Sequence, residues 1–217
     1  MNEAPSKRHA YLADRRGKVI PDGSWPPGRE APASLERVRR FLNTRKPESD
    51  ADLLTTAAEL REWLMVEGFR ATRASRAEVA SVRELRASLH VLVVANANRS
   101  IDDGALRSLT LLAAQRPVRF SFSSSPSATS PVSSRSSATS SATVAPSCRG
   151  VDAVIATILS IVASAMADAT WPRLKACGHC GWVVYDRTKN QSVSWCAEEA
   201  CGSRSRARSY RARHRGE

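Results

Sequence analysis

The hydrophobic positions of this chain fall into stretches with a helical period, separated by stretches with none. From Ser34 onward, Leu35, Val38, Phe41 and Leu42 share one face of a helix. Asp50 to Gly68 reads as a turn and then a helix, capped near Thr55 or Thr56. That helix buries Leu60, Trp63 and Leu64 and stops at Gly68. The clearest period lies between Ser75 and Asn96, where Val79, Val82, Leu85, Leu89 and Leu92 recur every three or four positions and Arg83, Glu84 and Arg86 fall on the other side. A fourth helix is expected to start with Asp102 or Asp103 as its N-cap, with Leu106, Leu109 and Leu112 facing inward. Pro117 ends it, and Val118 to Phe122 alternates as a short strand would. A last amphipathic helix carries Val151, Val154, Ile155, Ile158, Leu159, Val162, Ala165 and Met166 as one stripe. Its apolar face needs a partner, and the helices of 34–115 are the large candidate.

The gaps in this pattern divide the chain. Residues 1–33 hold five of the eleven prolines and no hydrophobic period, the pattern of a disordered arm. Residues 34–168 form a helical domain. Within it, 121–147 is a low-complexity loop or frayed hairpin, with 13 serines and only Phe122, Val132 and Val144 as large apolar residues. A small module spans 171–215 and begins at Trp171-Pro172. The expected fold class is mainly α: a helical N-terminal domain with a small β-hairpin element, followed by a small C-terminal four-cysteine zinc-binding module made of a hairpin and a helix. The first thirty residues contain no apolar leader, and the apolar run Val151 to Ala167 is short for a bilayer and amphipathic. The chain therefore reads as soluble and cytoplasmic, with no membrane partner.

Four cysteines of the small module, Cys177, Cys180, Cys196 and Cys201, have the spacing C-x2-C-x15-C-x4-C. Two close pairs at this separation let four thiolates converge on one tetrahedral zinc, at Zn–S about 2.3 Å. A unit this small lacks the apolar residues for a sufficient core, so one structural zinc ion meets a stability need. Trp182 to Tyr185 alternates like a strand, Asp186 to Asn190 is turn chemistry, and Val193 and Trp195 lead back to Cys196, so a hairpin should link the ligand pairs. Cys201 is placed at a helix start. His179 sits inside the knuckle as filler, and Cys148 is a free thiol. Trp182, Tyr185 and Trp195 have two readings, as stacking platforms for bases or as the module's own core, and the module's small size favours the core.

Charge then points to a partner. Of the formal net charge of +12, residues 171–217 supply +6, from ten basic and four acidic side chains. Arg204, Arg208, Arg211 and Arg215 line one face of the helix expected after Cys201, and Arg206 and Arg213 form a second row. Such a concentration of guanidinium groups calls for a polyanion, nucleic acid before any other. Lys189 is grouped with the arginines as a candidate contact. No catalytic constellation stands out. With all four thiolates committed to the metal no open coordination position remains, so a non-enzymatic role is expected.

Together these residues resemble the CGNR zinc-finger family. The matching elements are Cys177 with Cys180-Gly181-Trp182, Tyr185-Asp186 with Asn190, Trp195-Cys196, Cys201-Gly202-Ser203-Arg204, and the run Arg206 to Arg211. Ser203 stands where the family has asparagine. Upstream, Phe41-Leu42-Asn43-Thr44, Asp52-Leu53, Leu60 and Trp63-Leu64 look like the ABATE domain that usually precedes this finger. The resemblance implies a stress-linked transcription regulator in which a helical sensory domain is joined to a nucleic-acid-binding finger. DNA is the expected partner, with nucleoid association if the protein is bacterial, and a homodimer and an unknown small-molecule effector are the further candidates for the helical domain. An RNA-binding finger, or a zinc-stabilised protein-interaction module, is the alternative.

Overall fold

The structure, a computed structural model, describes residues 28–47, 52–69, 73–98, 102–126 and 138–214. The expected arm over 1–27 therefore lies outside the described residues. In chain order the elements are α1 (Leu35–Leu42), α2 (Ala57–Val66), α3 (Arg76–Asn98), α4 (Asp103–Ala114), β1 (Val118–Pro126), β2 (Ala138–Pro146), α5 (Gly150–Ala167), β3 (Leu174–Ala176), β4 (Val183–Tyr185) and α6 (Ser203–Arg213). A 3-10 turn, Trp171–Arg173, precedes β3, and a π-type turn, Glu198–Gly202, leads into α6.

The helix starts are written in the sequence. The Thr56 hydroxyl accepts from the Glu59 N–H at 3.2 Å while the Glu59 carboxylate accepts from the Thr56 N–H at 2.9 Å, a reciprocal capping box. Ser75 and Glu78 repeat this arrangement at the head of α3. Asp102 caps α4 by accepting from the Ala105 N–H at 2.7 Å. Gly68, at φ +74°, takes the left-handed conformation that closes α2.

One buried cluster unites α1, α2, α3, α4 and α5, and α5 packs against α1, α3 and α4. α5 is 18 residues long with a mean hydropathy of 1.9, enough by length and composition to cross a membrane. Its stripe from Val151 to Ala165 is nevertheless spent on this core. Arg116 ties α4 to α5, with Nε donating to the Asp152 carboxylate at 2.8 Å and Nη1 to the Leu112 carbonyl at 2.9 Å.

Several expectations need correction. Arg86 is buried, because Asp52 gives it a bidentate partner at 2.8 and 2.6 Å and Thr44 adds a third hydrogen bond at 2.8 Å. Leu106 and Met166, expected inward, are 39% and 44% exposed, and Ala105 takes the inward place on α4. Of the two readings of the serine-rich stretch, the hairpin holds and the loop does not over its described length: β1 and β2 pair antiparallel from Val118↔Pro146 to Pro126↔Ala138, since the backbone ladder needs no large side chains. Ordered chain also begins before residue 34. Ala31 is buried, and the Arg29 carbonyl accepts from the Tyr185 N–H at 3.0 Å, so this segment meets the edge of β4 at Tyr185.

Candidate metal centre and basic helix

The expected hairpin between the ligand pairs is built differently. β3 pairs antiparallel with β4, Leu174↔Tyr185 to Ala176↔Val183, and Cys177 to Cys180 form the turn between them. Val193 to Trp195 is not a strand. It contributes the Ser194 carbonyl, which accepts from the Gly178 N–H at 3.0 Å and brings Cys196 beside the knuckle. Gly181 is required on two grounds: φ is +72°, and a Cβ there would lie 2.7 Å from Pro47 Cγ. Asp186, fully buried, pins the returning loop. Its carboxylate accepts from the Thr188 N–H and the Val193 N–H, each at 2.9 Å, and Lys175 lies 3.2 Å away. Burial works to raise this carboxyl, but the Thr188 hydroxyl, these N–H groups and Lys175 outweigh it and hold it below the ordinary aspartate value.

All four cysteines are buried, and their Sγ atoms lie within 4.8 Å of one another. Cys180 to Cys196 is 3.6 Å and Cys196 to Cys201 is 3.5 Å. These separations are far from a disulfide bond of about 2.05 Å. They approach the edge of about 3.8 Å that a tetrahedron with Zn–S bonds of about 2.3 Å requires. Backbone N–H groups of Cys180 and Cys196 act to lower the Cys177 thiol, and that of Trp182 to lower Cys180, which favours thiolates. Taken as bare thiols, the four compete for protons. Hydrogen bonding from Cys180 holds Cys177 well below an ordinary thiol, the same contact pushes Cys180 up to about 12, and contact with Cys177 raises Cys196. Burial raises Cys201. A divalent cation removes this competition, because coordinated thiols are deprotonated outright. The residues present fit one structural zinc. His179 is half-buried and stands outside the four-sulfur set.

Around the cysteines a small second core collects Trp182 and Val184, with Leu53, Val193 and Trp195 against it. Trp182 is buried and Trp195 half-buried against Gly178 in this second core, while Tyr185 is buried in the main core, so all three serve packing.

The finger is clasped by the helical domain through residues that sequence reasoning did not assign. The Asn43 side chain donates to the Val183 carbonyl at 2.9 Å and accepts from the Val183 N–H at 2.8 Å. Asn96 donates to the carbonyls of Trp171 and Leu174, both at 2.9 Å, and His90 Nε2 lies 2.9 Å from the Gly181 carbonyl. Leu174, Val183 and Tyr185 belong to the main hydrophobic core. A pointer was present: Asn43 is a polar residue immediately after the apolar stripe of α1.

Cys201 lies in the turn that starts α6, with its N–H donating to the Ala197 carbonyl at 2.8 Å. No residue of α6 is buried. Arg204, Arg208 and Arg211 share one face and Arg206 and Arg213 the opposite one, all exposed. Arg206 pairs with Glu198, and Arg211 Nε donates to the Ala207 carbonyl at 3.2 Å. Tyr210, 58% exposed, stacks on His214 with ring centroids 4.1 Å apart. Arg215 lies outside the described residues. Lys189 is apart from this row, in the turn after β4, and borders a crevice that no described residue of α6 lines.

A helical bundle clasping a four-cysteine knuckle that projects a basic helix defines a zinc-finger protein of two parts. The CGNR zinc finger matches residues 173–214. The ABATE family, described as "Putative stress-induced transcription regulator", matches residues 35–172, and the chain belongs to this family. No curated protein matches the chain at a significant level.

Proposed function

We propose that this chain is a zinc-dependent DNA-binding transcription regulator whose basic helix α6 meets the phosphate backbone, while the helical domain senses a small effector or dimerises. The observation that carries the reading is α6 itself: five described arginines, none buried, on a helix rooted in the metal site. Guanidinium groups suit bidentate contacts to phosphate or to guanine edges. Glu198 and Glu199 are the acids in the turn before them, and the exposed pair of Glu198 with Arg206 is worth little. The role is one of binding, with the metal closed by four thiolates, and it suits a cytoplasmic protein, associated with the nucleoid if bacterial. Fluorescence anisotropy of zinc-loaded protein on duplex DNA tests this. Binding that weakens with salt at a log–log slope of about −4 supports it, and no binding at low salt ends it.

One observation favours RNA as the second reading. The Tyr210–His214 stack is an exposed aromatic surface beside the arginines, as unpaired bases require. Tyr210→Ala separates the two readings: a selective loss on single-stranded RNA favours RNA, and equal retention on both favours the duplex.

A further inference from the structure

A crevice of about 800 Å³ opens where the finger meets the end of α3, the start of α4 and the end of α5. Its apolar wall includes Leu92, Leu106, Met166 and Trp171, and its other side presents Lys175 and Lys189. Two large residues here break the pattern of the helices that carry them. Leu106 and Met166 lie on stripes whose other members are largely buried, yet they are 39% and 44% exposed, and both border this crevice. Large apolar side chains exposed together in a concave site are the usual lining of a small-molecule pocket, and the volume falls in the range of about 300–1,000 Å³.

The charge of the lining is one-sided. Among the described residues that line it, both ionisable ones are lysines and none is a carboxylate. Lys175 is held in place by the buried Asp186 at 3.2 Å and by the Gln191 carbonyl. Lys189 is exposed and has no ion-pair partner among the described residues. The rim is also preset: Gln191 holds φ at +49°, and Asn96 fixes the wall by its bonds to the Trp171 and Leu174 carbonyls.

We infer that this crevice is a binding site for a small organic anion with an apolar body, an aliphatic or aromatic carboxylate. The body lies on Leu92, Leu106 and Met166, and the carboxylate turns toward Lys189. Such a ligand touches both parts of the chain, since the lysines belong to the finger and the apolar wall to the helices. The site is independent of whether α6 binds polynucleotide.

Calorimetric titration of the full zinc-loaded chain with decanoate tests this, with decanol and inorganic phosphate as probes that lack the charge or the chain. Decanoate is expected to saturate a single site, and each control to bind at least about tenfold more weakly, a gap of about 1.4 kcal/mol. Lys189→Ala is expected to weaken decanoate about fivefold, as for loss of one partly screened ion pair. Leu106→Trp fills the crevice and is expected to abolish binding. Met166→Trp supplies a second plug should Leu106→Trp lower the melting temperature. Decanol binding as well as decanoate reduces the crevice to a greasy surface, and phosphate doing so reduces it to a basic patch. Either result overturns the inference, as does undetectable decanoate binding or binding that survives both plugs.

Discussion

Replacing Asn43 with alanine probes the seam between the helical domain and the finger. In the wild-type chain the Asn43 amide satisfies both backbone groups of Val183, a fully buried residue, at 2.8 and 2.9 Å. Asn43→Ala leaves the Val183 carbonyl within 3.5 Å of Arg39 Nη1, so that acceptor keeps a long partner. The Val183 N–H has no such substitute. A buried donor left unpaired costs about 1–3 kcal/mol. With the small void left by the amide, the expected loss is about 2–3 kcal/mol. Urea unfolding followed by tryptophan fluorescence reads the change, because Trp63 is buried on the helical side of the seam and Trp182 on the finger side. Zinc release, followed with a chromophoric chelator, should coincide with the fluorescence transition. A loss below about 0.5 kcal/mol would refute the energetic argument. Zinc release in a separate, earlier transition of the wild type would refute the joint core.

Cys196→Ser should abolish stoichiometric zinc and unfold the knuckle, since metal binding is folding free energy for so small a unit; elemental analysis with circular dichroism checks it. The double variant Arg208→Ala with Arg211→Ala should keep its zinc and reduce the salt slope of duplex binding by about 2, measured by anisotropy. Asp52→Asn should destabilise by about 3 kcal/mol in chemical unfolding, because it leaves the Arg86 guanidinium buried without its countercharge. Burial works to raise the Asp52 carboxyl, but Arg86, with the Leu54 N–H and Arg83, outweighs it and lowers the folded value below 3.8. The stability from this pair is therefore complete above that value and lost as pH falls through the lower folded one, a dependence that acid titration should find weakened in the variant.

The zinc ligands were legible because the constraint is local: chain spacing alone decides whether four sulfurs can converge. Helix starts were legible for the same reason, as Thr56, Ser75 and Asp102 cap within three residues of themselves. What escaped depends on distant chain. Arg86 reads as a surface residue until Asp52, 34 positions away, is brought to it. Leu106 and Met166 fit their helical stripes, yet those stripes reach past the packed core into the crevice. The route of the hairpin was missed because Val193 to Trp195 resembles a strand in composition, while the buried Asp186 carboxylate fixes it as a loop. The clasp by Asn43 joins positions 140 apart, a pairing no periodicity can show.

β4 has only three residues, and its side chains are divided: Val183 and Tyr185 face the large core, Val184 the cysteine cluster. The boundary between the two family matches at residues 172 and 173 is thus no line of cleavage in the molecule. A fragment starting at Arg173 would carry Leu174, Val183 and Tyr185 naked into water, and the bundle left behind would have a matching wound. Anyone wishing to graft this finger onto another scaffold would have to transplant its bed along with it.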